Sequence, residues 1–104
     1  MRFSTALLAC LLAATGPLAA QAQGQAELHT RSLAATCANC HGTDGRASSG
    51  SAMPALAGMP RDYLLTQLKA FKANTRPSTI MGQLSKGYSD AQLEQIASYF
   101  AARK

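Results

Sequence analysis

With 104 residues, 47% of them hydrophobic, 14% charged and 6% aromatic, and no tryptophan, the chain has room for one small domain with a meagre core. Its formal net charge of +5 comes from ten Lys and Arg against five Asp and Glu, too few basic residues in an exported chain for a nucleic-acid binder. Of the three cysteines, Cys10 falls in the amino-terminal segment expected to be removed, and Cys37 and Cys40 alone cannot make a disulfide framework closing distant loops, so a domain of this size needs another staple, such as a metal or cofactor.

At the amino terminus, Met1-Arg2-Phe3 is a short basic start and Leu7 to Ala20 an apolar run without charge, the layout of a secretory signal peptide. Ala20-Gln21-Ala22 places small residues where a signal peptidase reads, so cleavage is expected after Ala22. Residues 1–22 are then a signal peptide, and residues 23–104 a single periplasmic domain with no stable membrane insertion. Gly16-Pro17 interrupts a run already short of the roughly 20 apolar residues of a membrane span. Leu7-Leu8-Ala9-Cys10 loosely resembles a lipobox, but it comes too early to leave a hydrophobic segment ahead of the cysteine.

Residues 25–36 read as a first helix with a thin apolar face, Leu28 and Ala35 seven apart and Ser32 between them; His29 is a surface residue. Residues 42–58, rich in Gly, Ser and Ala with Pro54 inside, read as a loop. Pro60 suits the first turn of a second helix, in which Leu64, Leu68 and Phe71 follow at i, i+4 and i+7 and which Asn74 ends. A short helix within Pro77 to Lys86 is expected to end at a left-handed Gly87. In the last helix, Ser89 and Gln92 form a capping box and Asp90 puts negative charge in the first turn. Leu93, Ile96, Ala97, Phe100 and Ala101 make its apolar stripe, and Arg103 and Lys104 close it. No alternating run argues for a strand, so the expected fold class is all-α.

The chemistry lies in Cys37-Ala38-Asn39-Cys40-His41. The i, i+3, i+4 spacing sets two sulfurs and an imidazole on one side of a helical turn. Two thiols can then meet the two vinyl groups on one porphyrin edge while the histidine reaches the iron from the same side. The pattern predicts one covalent haem c. A reactive dithiol of the thioredoxin type competes, but no strand signal precedes Cys37. A structural zinc site needs four ligands, and only His29 remains beyond this trio.

Cys37 to Gly42 followed by Thr43-Asp44-Gly45 resembles the haem-binding stretch of class I bacterial cytochromes c. Ala70-Phe71-Lys72, Arg76-Pro77-Ser78-Thr79-Ile80-Met81-Gly82 and Lys86-Gly87-Tyr88-Ser89-Asp90 are similar to the cytochrome subunits of flavocytochrome c sulfide dehydrogenases, and more weakly to the cytochrome c4 group. Ala97-Ser98-Tyr99-Phe100 resembles the final helix of both. The resemblance implies the small class I cytochrome c fold, with first and last helices crossing beside one haem. It implies His41 as proximal iron ligand and Pro54, in Pro54-Ala55-Leu56-Ala57-Gly58, as the residue whose carbonyl accepts a hydrogen bond from it. Leu56 would pack on the porphyrin; Ser51-Ala52-Met53 departs from the Gly-Pro that relatives often carry before the proline.

Met81 is the expected distal iron ligand. It holds the family position and lies beyond a helix that can carry the chain around the porphyrin, whereas Met53 and Met59 follow His41 closely along the proximal side. The implied function is one-electron transfer from a sulfide-oxidising flavoprotein subunit, without enzymatic activity of its own. A free soluble carrier to a terminal oxidase or reductase is the alternative, as is a haem sensor or enzyme with an open sixth site. Lys69, Lys72, Arg76 and Lys86 could form a basic docking face, although a plain solvated helix face is the simpler reading.

Overall fold

The computed structural model describes residues 16–104. The basic start, most of the apolar run and Cys10 lie outside them. Five α-helices follow in order among the described residues: α1 (Gly16–Ala35), α2 (Ala38–His41), α3 (Arg61–Lys72), α4 (Met81–Lys86) and α5 (Asp90–Ala101), with a 3-10 turn at Thr43–Gly45 after α2. There is no strand among the described residues, as the missing period-2 pattern predicts. None of these helices is long and apolar enough to cross a membrane.

The core is organised around α5. Its start is set by the Ser89 capping box: Ser89 Oγ accepts from Gln92 N at 3.2 Å and Gln92 Oε1 from Ser89 N at 2.8 Å. The helical period then delivers Leu93, Ile96, Ala97 and Phe100 to one buried face, with Tyr99 beside them. Ala34 from the end of α1 and Leu64 from α3 complete the buried cluster, and Leu33, Leu65 and Leu68 pack around it. Each large apolar side chain buried there contributes roughly 1.5–3 kcal/mol. Seven buried hydrophobic residues among those described are few for a free-standing domain.

Four local details differ from expectation. α1, over Gly16–Ala35, includes residues well before 25 and runs unbroken through the expected cleavage position. It meets the core through Ala34 and Leu33, while Leu28 is 66% exposed and Ala35 is exposed; a small residue at the crossing lets α1 and α5 approach closely. Pro60 is the cap of α3 rather than its first helical residue, with ψ at 132°, and the helix starts at Arg61. Gly87 is not left-handed: at φ −70° and ψ −8° it carries the last turn of α4 onward, its N–H on Leu84 O, directly into Tyr88 and the Ser89 cap. The left-handed residue of this half is Asn74, at φ 56°. It ends α3 in a Schellman arrangement, with Asn74 N on Phe71 O at 3.1 Å and Thr75 N on Ala70 O at 2.9 Å.

The short helix expected within Pro77 to Lys86 occupies only Met81–Lys86. Proline has no N–H to give and disfavours helical backbone before it, so Arg76 to Ile80 cross as irregular chain. Ser78 Oγ then accepts from Gly82 N at 2.9 Å at the start of α4.

Candidate haem-binding site

The Cys37–His41 turn is a single helical turn built onto the end of α1. Cys37 N bonds to Ala34 O at 3.1 Å, and Cys37 O accepts from Cys40 N at 3.3 Å and His41 N at 3.0 Å. Both thiols are free, Cys37 half-buried and Cys40 exposed. His41 is buried, with 7% of its surface exposed. Burial pushes the Cys37 thiol up from its ordinary pKa, and Cys40 beside it adds to the rise.

Behind the histidine, Nδ1 lies 2.8 Å from Pro54 O. A carbonyl can only accept, so Nδ1 carries a proton, and Nε2 is the nitrogen this bond leaves for a metal. The loop reaches this position because of two glycines. Gly42, at φ 83°, has no room for a side chain, since a Cβ would stand 2.0 Å from Arg46 O. Gly45, at φ 77°, is buried, and its carbonyl accepts from Leu56 N at 2.8 Å and Ala57 N at 3.1 Å. Those two bonds fold the Pro54–Ala57 segment back toward the turn, and Gly58 N on Phe100 O at 2.9 Å fastens it to α5.

A polar cluster closes the same loop from outside. Tyr99 donates its hydroxyl to Asp44 Oδ1, and Arg46 approaches Asp44 Oδ2 at 3.3 Å while donating through Nε to Lys104 O at 2.7 Å. The Tyr99 hydrogen bond, with the charges of Arg103, Arg46 and Arg31, holds the Asp44 carboxyl below its usual range, against an opposing effect of burial. The same bond, with burial, raises Tyr99. Arg103 stacks over the Tyr99 ring at 3.9 Å.

Leu56 is half-buried against the core, and Met81, half-buried, is the first residue of α4. Ile80 and Leu84, beside Met81, stay exposed, as does Met53. Two free thiols and a bare imidazole nitrogen share one turn, in a molecule with few buried apolar residues and apolar side chains left uncovered. That donor set suits a haem. Zinc has no second set of ligands here, as no group of three His, Cys, Asp or Glu side chains gathers among the described residues. His29 is exposed.

The four basic residues are not a uniform free face. Lys72 Nζ donates to Tyr88 O and Asp90 Oδ1, each at 2.8 Å, and this lowers Asp90 below its usual range. Lys69 stands 3.9 Å from Glu94, and Arg76 lies over the Phe71 ring at 4.6 Å and bonds Gln67, while Lys86 is exposed. Sequence reasoning missed the packing role of Gly45, the Asp44–Tyr99 pair and a bond between Thr36 and Tyr88. All depend on contacts between distant segments; Thr36 beside Cys37 was the one local hint.

A family model for cytochrome c matches residues 29–103. The chain is 42% identical over 89 residues to the cytochrome subunit of sulfide dehydrogenase from Chlorobaculum tepidum, covering 85% of this chain and 79% of that protein. It is 37% identical to a thiosulfate dehydrogenase electron acceptor of Thiomonas intermedia, over 68% of this chain but only 33% of that protein. Among solved structures, Acidithiobacillus ferrooxidans cytochrome c4 superposes with a TM-score of 0.59 at 36% identity, covering 64% of this chain and 37% of that one. With its helical fold, its Cys37-Cys40-His41 turn and a family match over most of its length, the chain belongs to the cytochrome c family, electron-transfer proteins carrying covalent haem c.

Proposed function

We propose that this cytochrome works in the periplasm, after removal of residues 1–22, as the mono-haem partner of a sulfide-oxidising flavoprotein, from which it takes electrons one at a time. The observation that carries the site reading is the 2.8 Å contact of His41 Nδ1 with Pro54 O, which puts a proton on Nδ1 and orients the ring so that Nε2 is the nitrogen offered to a metal. Cys37 and Cys40 would hold the haem through thioethers, His41 and Met81 would ligate its iron, and Leu56 would pack on the porphyrin. When bound, the haem supplies reversible one-electron iron chemistry. The neutral, soft thioether of Met81 favours reduced iron and raises the potential. Oxidation of sulfide belongs to the flavoprotein, and this chain receives the electrons.

The partner is supported by similarity to the cytochrome subunit of sulfide dehydrogenase, which extends over most of both chains. Stopped-flow mixing of the oxidised cytochrome with a cognate flavoprotein and sulfide tests it: rapid haem reduction is expected. A haem that stays oxidised would leave the free-carrier reading, which the thiosulfate dehydrogenase electron acceptors among the relatives favour. For the ligand, Met81→Ala should abolish the weak methionine-to-iron band of the ferric protein and open the ferrous iron to carbon monoxide. Survival of that band in Met81→Ala, with loss in Met59→Ala or Met53→Ala, would overturn the assignment.

A further inference from the structure

Thr36 and Tyr88 are 52 residues apart in sequence, yet their hydroxyl oxygens lie 2.6 Å from each other. Thr36 Oγ1 also lies 2.9 Å from Leu33 O. A threonine hydroxyl has one proton and a carbonyl can only accept, so that proton goes to Leu33 O and the Tyr88 phenol must donate to Thr36. The direction of the chain is thus fixed: Tyr88 to Thr36 to one of the last carbonyls of α1.

Tyr88 is tied on its other sides as well. Its ring packs against the core, its N–H reaches Ser85 O at 3.3 Å, and its carbonyl accepts from Lys72 Nζ, which also holds Asp90. The residue joins the carboxyl ends of α1, α3 and α4 to the start of α5. Thr36 immediately precedes Cys37, and Tyr88 follows by two residues a helix only six residues long whose first residue is Met81. A single short helix moves as a unit, so whatever fixes its carboxyl end relative to the Cys37–His41 turn fixes Met81 as well.

We propose that the Tyr88–Thr36 hydrogen bond is a positioning clasp, which holds α4 at a set distance from the haem-attachment turn and so keeps the Met81 thioether on the iron. This rests on Met81 being the distal ligand, as proposed above. The alternative role is general stabilisation of the fold, which would act on global unfolding and leave local opening of the methionine–iron bond unchanged.

Carbon monoxide reaches ferrous iron only while the methionine is off, so its binding rate measures that open population. Tyr88→Phe removes only the phenol oxygen and keeps the packed ring; Thr36→Val removes the acceptor, and Thr36→Ser retains it. Loss of one neutral hydrogen bond corresponds to a roughly 3- to 10-fold larger open population. Tyr88→Phe and Thr36→Val should each raise the carbon monoxide binding rate by that factor. The double variant should be no faster than either single one, and Thr36→Ser should match wild type. Rates for Tyr88→Phe and Thr36→Val within twofold of wild type, or a double variant in which the two effects multiply, would overturn the clasp. If wild type binds carbon monoxide as fast as Met81→Ala, the ligand reading falls and the clasp with it. Slow binding in wild type and fast binding in Met81→Ala, with no change in Tyr88→Phe, sinks the clasp alone.

Discussion

Replacing Gly45 by alanine tests the loop that brings Pro54 to His41. The new Cβ would stand 2.7 Å from Phe100 Cδ1, 2.9 Å from Ala57 N and 3.0 Å from Leu56 Cβ. None of these neighbours can yield cheaply. Phe100 is 2% exposed, and Ala57 N belongs to backbone already bonded to Gly45 O. The residue also sits at φ 77°, which costs an L-residue about 1–2 kcal/mol, and overpacking adds about 1–3 kcal/mol. Gly50 supplies the control: it has φ 79° but nothing within 4 Å of its Cβ, so its alanine variant pays the backbone term alone. In a domain of this size each kcal/mol lowers Tm by about 4–8 °C. Far-UV melting of the holoprotein should therefore place Gly50→Ala about 4–16 °C below wild type, and Gly45→Ala at least about 4 °C lower again. Because the displaced segment carries Pro54, the iron–histidine stretching frequency should fall in Gly45→Ala and not in Gly50→Ala. Equal melting of the two variants, or an unmoved iron–histidine frequency in Gly45→Ala, would refute the close-packed geometry assigned to this loop.

Protein matured with a haem-attachment system should keep its colour through acid-acetone extraction; Cys37→Ala or Cys40→Ala should weaken retention, and the double variant should yield little stable holoprotein. Ser89→Ala removes the bond to Gln92 N and half of the capping box, so denaturant titration should show a loss of about 1 kcal/mol; an unchanged midpoint would mean the box contributes nothing. Asp44 is held below the ordinary carboxylate range in the folded protein, so the unfolded chain takes up the proton first as pH falls. The stability it contributes is present above that range and lost on descent through the depressed value. Asp44→Asn should consequently be less stable than wild type near neutrality, and urea midpoints of the two should converge in acid; a constant gap across pH would contradict this.

What could be read from the sequence was local. Cys37-Ala38-Asn39-Cys40-His41 carries its meaning in i, i+3, i+4 spacing, which one helical turn converts to geometry whatever surrounds it. The Ser89 capping box and the Leu93, Ile96, Ala97, Phe100 stripe likewise need only the helical period and their own neighbours, and so did the stop at Asn74. The same reasoning misplaced the face of α1, because a heptad pair such as Leu28 and Ala35 says which residues share a stripe but not where another helix crosses. It also made Gly87 left-handed, because a glycine after a helix usually permits such a turn, whereas here the chain must run straight from α4 into Tyr88 and the Ser89 cap. The contact between His41 and Pro54 was reachable only through family resemblance, since it depends on Gly45 folding residues 54–57 back over the turn. The bonds of Thr36 to Tyr88, of Asp44 to Tyr99 and of Lys72 to Tyr88 O join segments far apart in the chain. No periodicity encodes them; they exist because α5 and its packing bring those segments together, and the tertiary fold alone decides them.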